Sequence, residues 1–182
     1  MRLKELTGYK KDPIYNILQN STSAKELQDN LESNGFKKYV VGTGFYSSVL
    51  SRPDLNYVVK IFKDDSGYEE YLKYIVKYQN NPHVPKMRGK VLTVGLRFKV
   101  VRLEKLTPLD PNNNFQSQIS ENIWNYLYLN KADNETDREI LEKQFPQIIP
   151  VLAYIMQYSR IDFHDGNIMF RGDVPVIIDP LI

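Results

Sequence analysis

The stretch KKYVVGTGFYSSVLSRPDLNYVVKIFK, residues 37–63, commits the first part of this chain to a β-sheet. Short runs of Val, Tyr, Phe and Ile suit a pleated surface, and turn residues separate them twice, first at Gly42 to Gly44 and then at Pro53, Asp54 and Asn56. Connections this short join antiparallel neighbours, because a parallel crossover needs many more residues. The pattern predicts three antiparallel strands, over about 37–42, 45–51 and 57–62.

The flanking sequence fixes what surrounds those strands. STSAKELQDNLESN, residues 21–34, places Ser23 three residues before Glu26 as a capping box. It carries Ala24, Leu27 and Leu31 on one face and ends at Asn34-Gly35, so a helix precedes the sheet. After Ser66-Gly67, a second helix is predicted from Tyr68, Tyr71, Leu72, Ile75 and Tyr78 at helical spacing, with core packing as their ordinary role. Two prolines in NNPHVPK stop it, and strands over about 89–94 and 96–103 meet at Gly95. From there to Arg160 the chain reads helical, with Pro146 and Pro150 kinking or splitting the last segment. NIMF and VPVIID then form two short strands about the turn Arg171-Gly172-Asp173. Strands first, helices next and a small hairpin last predict an α+β fold with two lobes. With 182 residues, a single domain is expected, divided as 1–103 and 104–182.

Composition excludes several function classes. A net charge of +2 with no basic cluster gives no nucleic-acid footprint. The N-terminus lacks an apolar leader, and FPQIIPVLAYIM is too short and interrupted to span a bilayer, so a soluble cytoplasmic protein without a membrane partner is expected. The absence of cysteine removes disulfides, thiolate catalysis and Cys-based zinc sites.

Four features that carry chemistry follow one another. GTGFYSSV, residues 42–49, is either an ordinary hairpin turn or a flap whose backbone N–H groups cover phosphates. Lys60 lies inside the third strand, where alternation puts Val58, Lys60 and Phe62 on one face and Val59 and Ile61 on the other. It is either an edge lysine reaching for solvent or one turned toward an anion. IDFHDGN packs Asp162, His164, Asp165 and Asn167 into a loop with Ile161 before it and IMF after it. That is a loop pinned by buried flanks, able to present Asp162 as a base or orienter and Asn167 as an oxygen ligand. Asp179 ends the apolar run VPVII, and with Asn167 it makes the oxygen pair that Mg²⁺ accepts while keeping phosphate and water ligands.

In this order the Gly-x-Gly turn, the strand lysine, the Asp-x-x-x-x-Asn loop and the strand-end Asp resemble the protein-kinase-like fold. More narrowly, SNGFKKYVVGTGFYSSVLSRPDLNYVVKIFKDDSG, NPHVPK and DFHDGNIMFRGDVPVIIDP resemble the early serine/threonine protein kinases of short-tailed lytic coliphages. The resemblance implies an ATP- and Mg²⁺-dependent phosphotransferase with a five-stranded N-lobe and a reduced, mainly helical C-lobe. Gly42 and Gly44 would cover the phosphates, Lys60 would hold the α- and β-phosphates, Asp162 would orient the acceptor hydroxyl, and Asn167 and Asp179 would bind the metal. Leu103 would line the adenine pocket, with backbone groups near Glu104 and Leu106 at its edge. Glu70, with Glu69 hardly behind it, would be the acid paired with Lys60. His164 stands where serine/threonine kinases carry lysine and where aminoglycoside and choline kinases carry histidine, which leaves a small-molecule acceptor as an alternative. Arg160 and Ile161 replace the His-Arg pair, and Asp179-Pro180-Leu181 replaces Asp-Phe-Gly. Three residues follow Asp179 where such kinases continue into a peptide-binding lobe. The expected partners are therefore nucleotide and host-cell proteins. The host proteins are either substrates or, for a non-catalytic derivative of the fold, docking targets, and a self-paired dimer is one way to supply the missing lobe.

Overall fold

Residues 14–39, 47–63, 65–129 and 135–182 are described by a computed structural model. The fold is α+β, as the sequence predicts, and it divides into two units, Met1–Asp64 with Met87–Lys105 and Asp65–Lys86 with Leu106–Ile182. The segment 65–86, which the sequence reading places with the strands, instead groups with the second unit.

In the first unit, helices α1 (Tyr15–Asn20) and α2 (Ala24–Ser33) lead into strands β1 (Lys37–Lys38), β2 (Ser47–Ser51), β3 (Tyr57–Lys63), β4 (Leu92–Val94) and β5 (Phe98–Glu104). These form one antiparallel sheet in the order β1-β2-β3-β5-β4. The cap of α2 differs from a simple box. Ser23 Oγ accepts from the Glu26 N–H as expected, but Glu26 reaches back to the Thr22 N–H at 2.7 Å and to the Thr22 hydroxyl at 2.7 Å. The short α1 went unpredicted, since six residues carry too little periodicity to read. Its Ile14 and Leu18 join Leu27, Leu31 and Phe36 over one face of the sheet, against Leu50, Tyr57, Val59, Ile61 and Val100. Burial at this density stabilises by about 1.5–3 kcal/mol per large aliphatic side chain.

In the second unit, α3 (Ser66–Lys77) is capped by Asp65, whose side chain accepts from the Tyr68 N–H at 2.8 Å. Its buried face holds Tyr68, Tyr71, Leu72, Tyr74 and Ile75. Tyr78, expected in that stripe, is exposed, because the helix ends at Lys77 and Tyr78 is the cap residue outside its register. Tyr74 takes the place, stacking on Tyr154 with ring centroids 4.0 Å apart. Gly67, in the first turn, lies so close to the backbone of residues 181–182 that an added Cβ would stand 2.6 Å from the Ile182 carbonyl carbon.

The helical stretch resolves into α4 (Asn114–Tyr128), α5 (Glu135–Gln144) and α6 (Ile149–Ile155), with Pro146 opening a 3-10 turn and Pro150 sitting at the start of α6. Asp137 of α5 is clasped by Asn125 Nδ2 at 3.0 Å and by the amide of Asn122, turned to donate, at 3.1 Å. A three-stranded sheet completes the unit: β6 (Thr107–Pro108), β7 (Ile168–Arg171) and β8 (Val174–Ile177), all antiparallel, with Gly172 at φ 61° in the expected turn. β6 has too few residues to be visible as a pattern.

Candidate active site

The loop from Arg160 to Asn167 and the segment after β8 are tied together by backbone bonds. Ile161 bridges Leu181, the Asp162 N–H donates to the Pro180 carbonyl at 2.8 Å, and the Ile178 N–H donates to the Asn167 carbonyl at 3.0 Å. Asp179 therefore sits between two residues that are each bonded to the loop. The buried Asn167 donates its Nδ2 to the carbonyl of Asp162, and its N–H to the carbonyl of His164 at 2.8 Å. Asp162, His164, Asn167 and Asp179 are thus brought together within the second unit. The Asn167 nitrogen is committed to the Asp162 carbonyl, which leaves its Oδ1 as the end able to meet a cation.

His164 caps the short 3-10 turn at residues 165–167, with Nδ1 accepting from the Gly166 N–H at 3.0 Å. A lone pair used at Nδ1 places the proton of the neutral ring on Nε2. A Cβ on Gly166 would stand 2.7 Å from His164 Cε1, so glycine is what lets the ring lie there. Asp165 accepts from the buried Ser120 hydroxyl at 2.8 Å.

Residues to which the sequence assigns no part in the site hold this arrangement. The Tyr128 hydroxyl accepts from the Phe163 N–H at 3.1 Å and donates to the Ile161 carbonyl at 3.2 Å, so one phenol fixes the backbone on both sides of Asp162. Tyr71 donates to the Ile177 carbonyl at 2.8 Å, two residues before Asp179. Burial first, with the charge of Asp179 among the further causes, pushes the Tyr68 and Tyr71 phenols well above their ordinary range, so both stay protonated. His83 bonds through Nδ1 to the Pro175 carbonyl at 2.8 Å and accepts the Ile177 N–H on its own carbonyl. Arg171 donates to the carbonyls of Pro82 and Val84. The segment NPHVP thus follows the end of a helix and also presents the carbonyls of Pro82, His83 and Val84 to the hairpin. Bonds spanning 33 to 106 residues leave no local signal.

The remaining expected residues are placed as follows. Lys60 is on the central strand β3, 7% exposed, on the sheet face opposite the α1–α2 core; it is not an edge lysine reaching for solvent. Leu103 is buried on β5 and Glu104 half-buried at its end, both in the first unit, while the buried Leu106 opens the second. The carboxylate of Glu70 is 2.7 Å from Lys73 on an exposed turn of α3. Gly42 and Gly44 lie outside the described residues. Among the described residues no group of three acids or histidines could hold a metal by itself, so any cation here would rest on Asn167 and Asp179 with further ligands from elsewhere.

No protein-family model matches the sequence, and no curated protein matches it. Solved structures similar to it include PK-1, the granulovirus kinase of Cydia pomonella, at 12% identity and a TM-score of 0.41, covering 85% of this chain and 57% of that one. Rad53 1–466 in complex with AMP-PNP is similar at 18% identity and a TM-score of 0.45, covering 85% of this chain and 42% of that one. APH(2″)-IIa in a ternary complex with streptomycin and ATP is similar at 15% identity and a TM-score of 0.38, covering 86% and 70%. The chain thus spans well under two thirds of the first two.

Proposed function

We propose that this chain is a phosphotransferase that moves the γ-phosphoryl group of ATP to a hydroxyl group, acting as a serine/threonine protein kinase of phage origin on host proteins. The observation that carries the reading is the bonded loop: Asp162 and Asn167 are locked to each other, and Asp179 is held between two residues bonded to that loop. A docking protein has no physical need for two carboxylates and an amide in so fixed an arrangement.

Asp162 accepts the proton of the acceptor hydroxyl as that oxygen bonds to the γ-phosphorus, and the bond from phosphorus to the β–γ bridging oxygen breaks, releasing ADP. Asn167 and Asp179 would hold Mg²⁺, and the donor set fits it, since this ion takes few protein oxygens and completes its shell with phosphate and water. When bound, the ion supplies charge neutralisation on the phosphates. By the resemblance to the protein-kinase-like fold, Lys60 would hold the α- and β-phosphates, Gly42 and Gly44 would cover them, and Leu103 with the backbone near Glu104 and Leu106 would receive the adenine.

The test is transfer of labelled phosphate from ATP to the protein itself and to a host lysate, by wild type, Asp162→Ala and Asp179→Ala. Each change is expected to lower transfer by roughly a hundred- to ten-thousand-fold. Transfer that survives both changes would overturn the site.

A further inference from the structure

Beside the Asp162 loop runs an open-sided groove of about 480 Å³, walled by Leu109, Glu121, Trp124, Phe163, His164 and Asp165. All of these belong to the second unit. The wall from α4 presents Glu121 and Trp124, the latter 43% exposed, an uncommon level for a tryptophan with no structural task on its outer face. The loop supplies Phe163, His164 and Asp165, so whatever lies in the groove lies against His164 and Asp165.

The groove has a sign. Glu121 and Asp165 bring two carboxylates, and among the described residues no lysine or arginine lines it. Glu121 makes no hydrogen bond or ion pair with a described residue, and Asp165 uses one acceptor position on Ser120 out of the several a carboxylate offers. Trp124 adds an aromatic face, the best side-chain surface for a cation. The remaining wall mixes the apolar Leu109, Pro111 and Phe163 with the polar Ser117, Asn125 and His164. Two carboxylates amid Leu109, Pro111 and Phe163 suit one cationic side chain on an otherwise mixed polymer, whereas a small polycation would require acids all round.

We propose that this groove is the acceptor-selecting surface, and that it takes an extended polypeptide segment carrying an arginine or lysine close to the hydroxyl that is phosphorylated. Glu121 and Asp165 pair with the cation and Trp124 packs over it. The proposal rests on the phosphotransferase reading for the fate of the hydroxyl, but the groove's preference can be measured without any transfer.

Trp124 is the only tryptophan in the chain, so its emission reports occupancy of the groove directly. Short serine-centred peptides, with one arginine scanned through the neighbouring positions or replaced by glutamine or glutamate, are titrated into the full chain without ATP. At one or two positions arginine is expected to lower the half-saturating concentration by about tenfold against glutamine, and Glu121→Gln should erase that difference. Because Glu121 is exposed, the variant keeps its fold, which circular dichroism checks. In transfer assays the same variant should raise KM for the arginine peptide and leave kcat and the KM for ATP unchanged. Equal saturation by all three peptide series overturns the proposal, as does an arginine preference that survives Glu121→Gln or tighter binding of spermidine than of any peptide. Arginine-dependent binding with no transfer under ATP and Mg²⁺ would support the groove and overturn the phosphotransferase reading.

Discussion

His164 and Gly166 work as a pair. The imidazole occupies the space a methyl group on Gly166 would need, and it accepts that residue's N–H. In Gly166→Ala the ring must swing out and lose that bond. Folding should cost only about 1 kcal/mol, the worth of one such hydrogen bond. Transfer, by contrast, should fall as far as in His164→Ala, and combining the two changes should add nothing, because both remove the same ring position. Full additivity in that cycle would show the glycine acting elsewhere. Tyr128 makes a sharper test, since its hydroxyl touches only backbone on either side of Asp162. Tyr128→Phe keeps the ring and is expected to lower kcat about tenfold, at a stability cost near 1 kcal/mol, with KM for ATP unchanged. An unaltered kcat would mean that Phe163 and the Pro180 bond suffice to place the loop.

The β7–β8 hairpin carries Asn167 before it and Asp179 after it, and it is held by the segment 81–85. Burial, with Arg171 adding to it, lowers the His83 pKa below the ordinary histidine value and outweighs its bond to Pro175. The sign follows from proton counts. Below about pH 6.5 the unfolded chain binds a proton at this residue that the folded chain refuses, so acid favours unfolding, with the loss accruing as pH falls from that value toward the lowered one. Tm should therefore drop between neutral pH and about pH 5.5, and the drop should shrink in His83→Gln. Identical slopes for the two proteins would place the titration elsewhere. His83 is 2% exposed, yet from sequence it looked like punctuation between two prolines.

Over the whole molecule, what sequence reveals is what repeats along the chain. The strands of the first unit and the face of Lys60 on β3 are legible because alternation is local, and the cluster around Asp162 because its residues lie within one loop. The α3 stripe is legible apart from its end, where Tyr78 and Tyr74 exchange roles once the helix stops. The supports, Tyr71, His83, Tyr128 and Arg171, are illegible because each acts across a long loop on a backbone atom, and backbone atoms have no letter. The core of the first unit is likewise a sum of distant parts. Leu27, fully buried between α1 and the sheet, should cost about 2–5 kcal/mol when cut to alanine. In hydrogen exchange the lost protection should then appear in β3 and β5, the strands beneath it. Unchanged exchange there would mean the helix pair contributes little to that sheet.

Gly67 carries a consequence for how such chains diverge. Its missing side chain is the space through which residues 181–182 cross the first turn of α3. A larger residue at 67 is therefore compatible only with a different path after Asp179. Among descendants of this sequence the two positions should drift together, glycine persisting wherever the strand end returns over the helix and giving way in lineages whose chain turns outward to build something new.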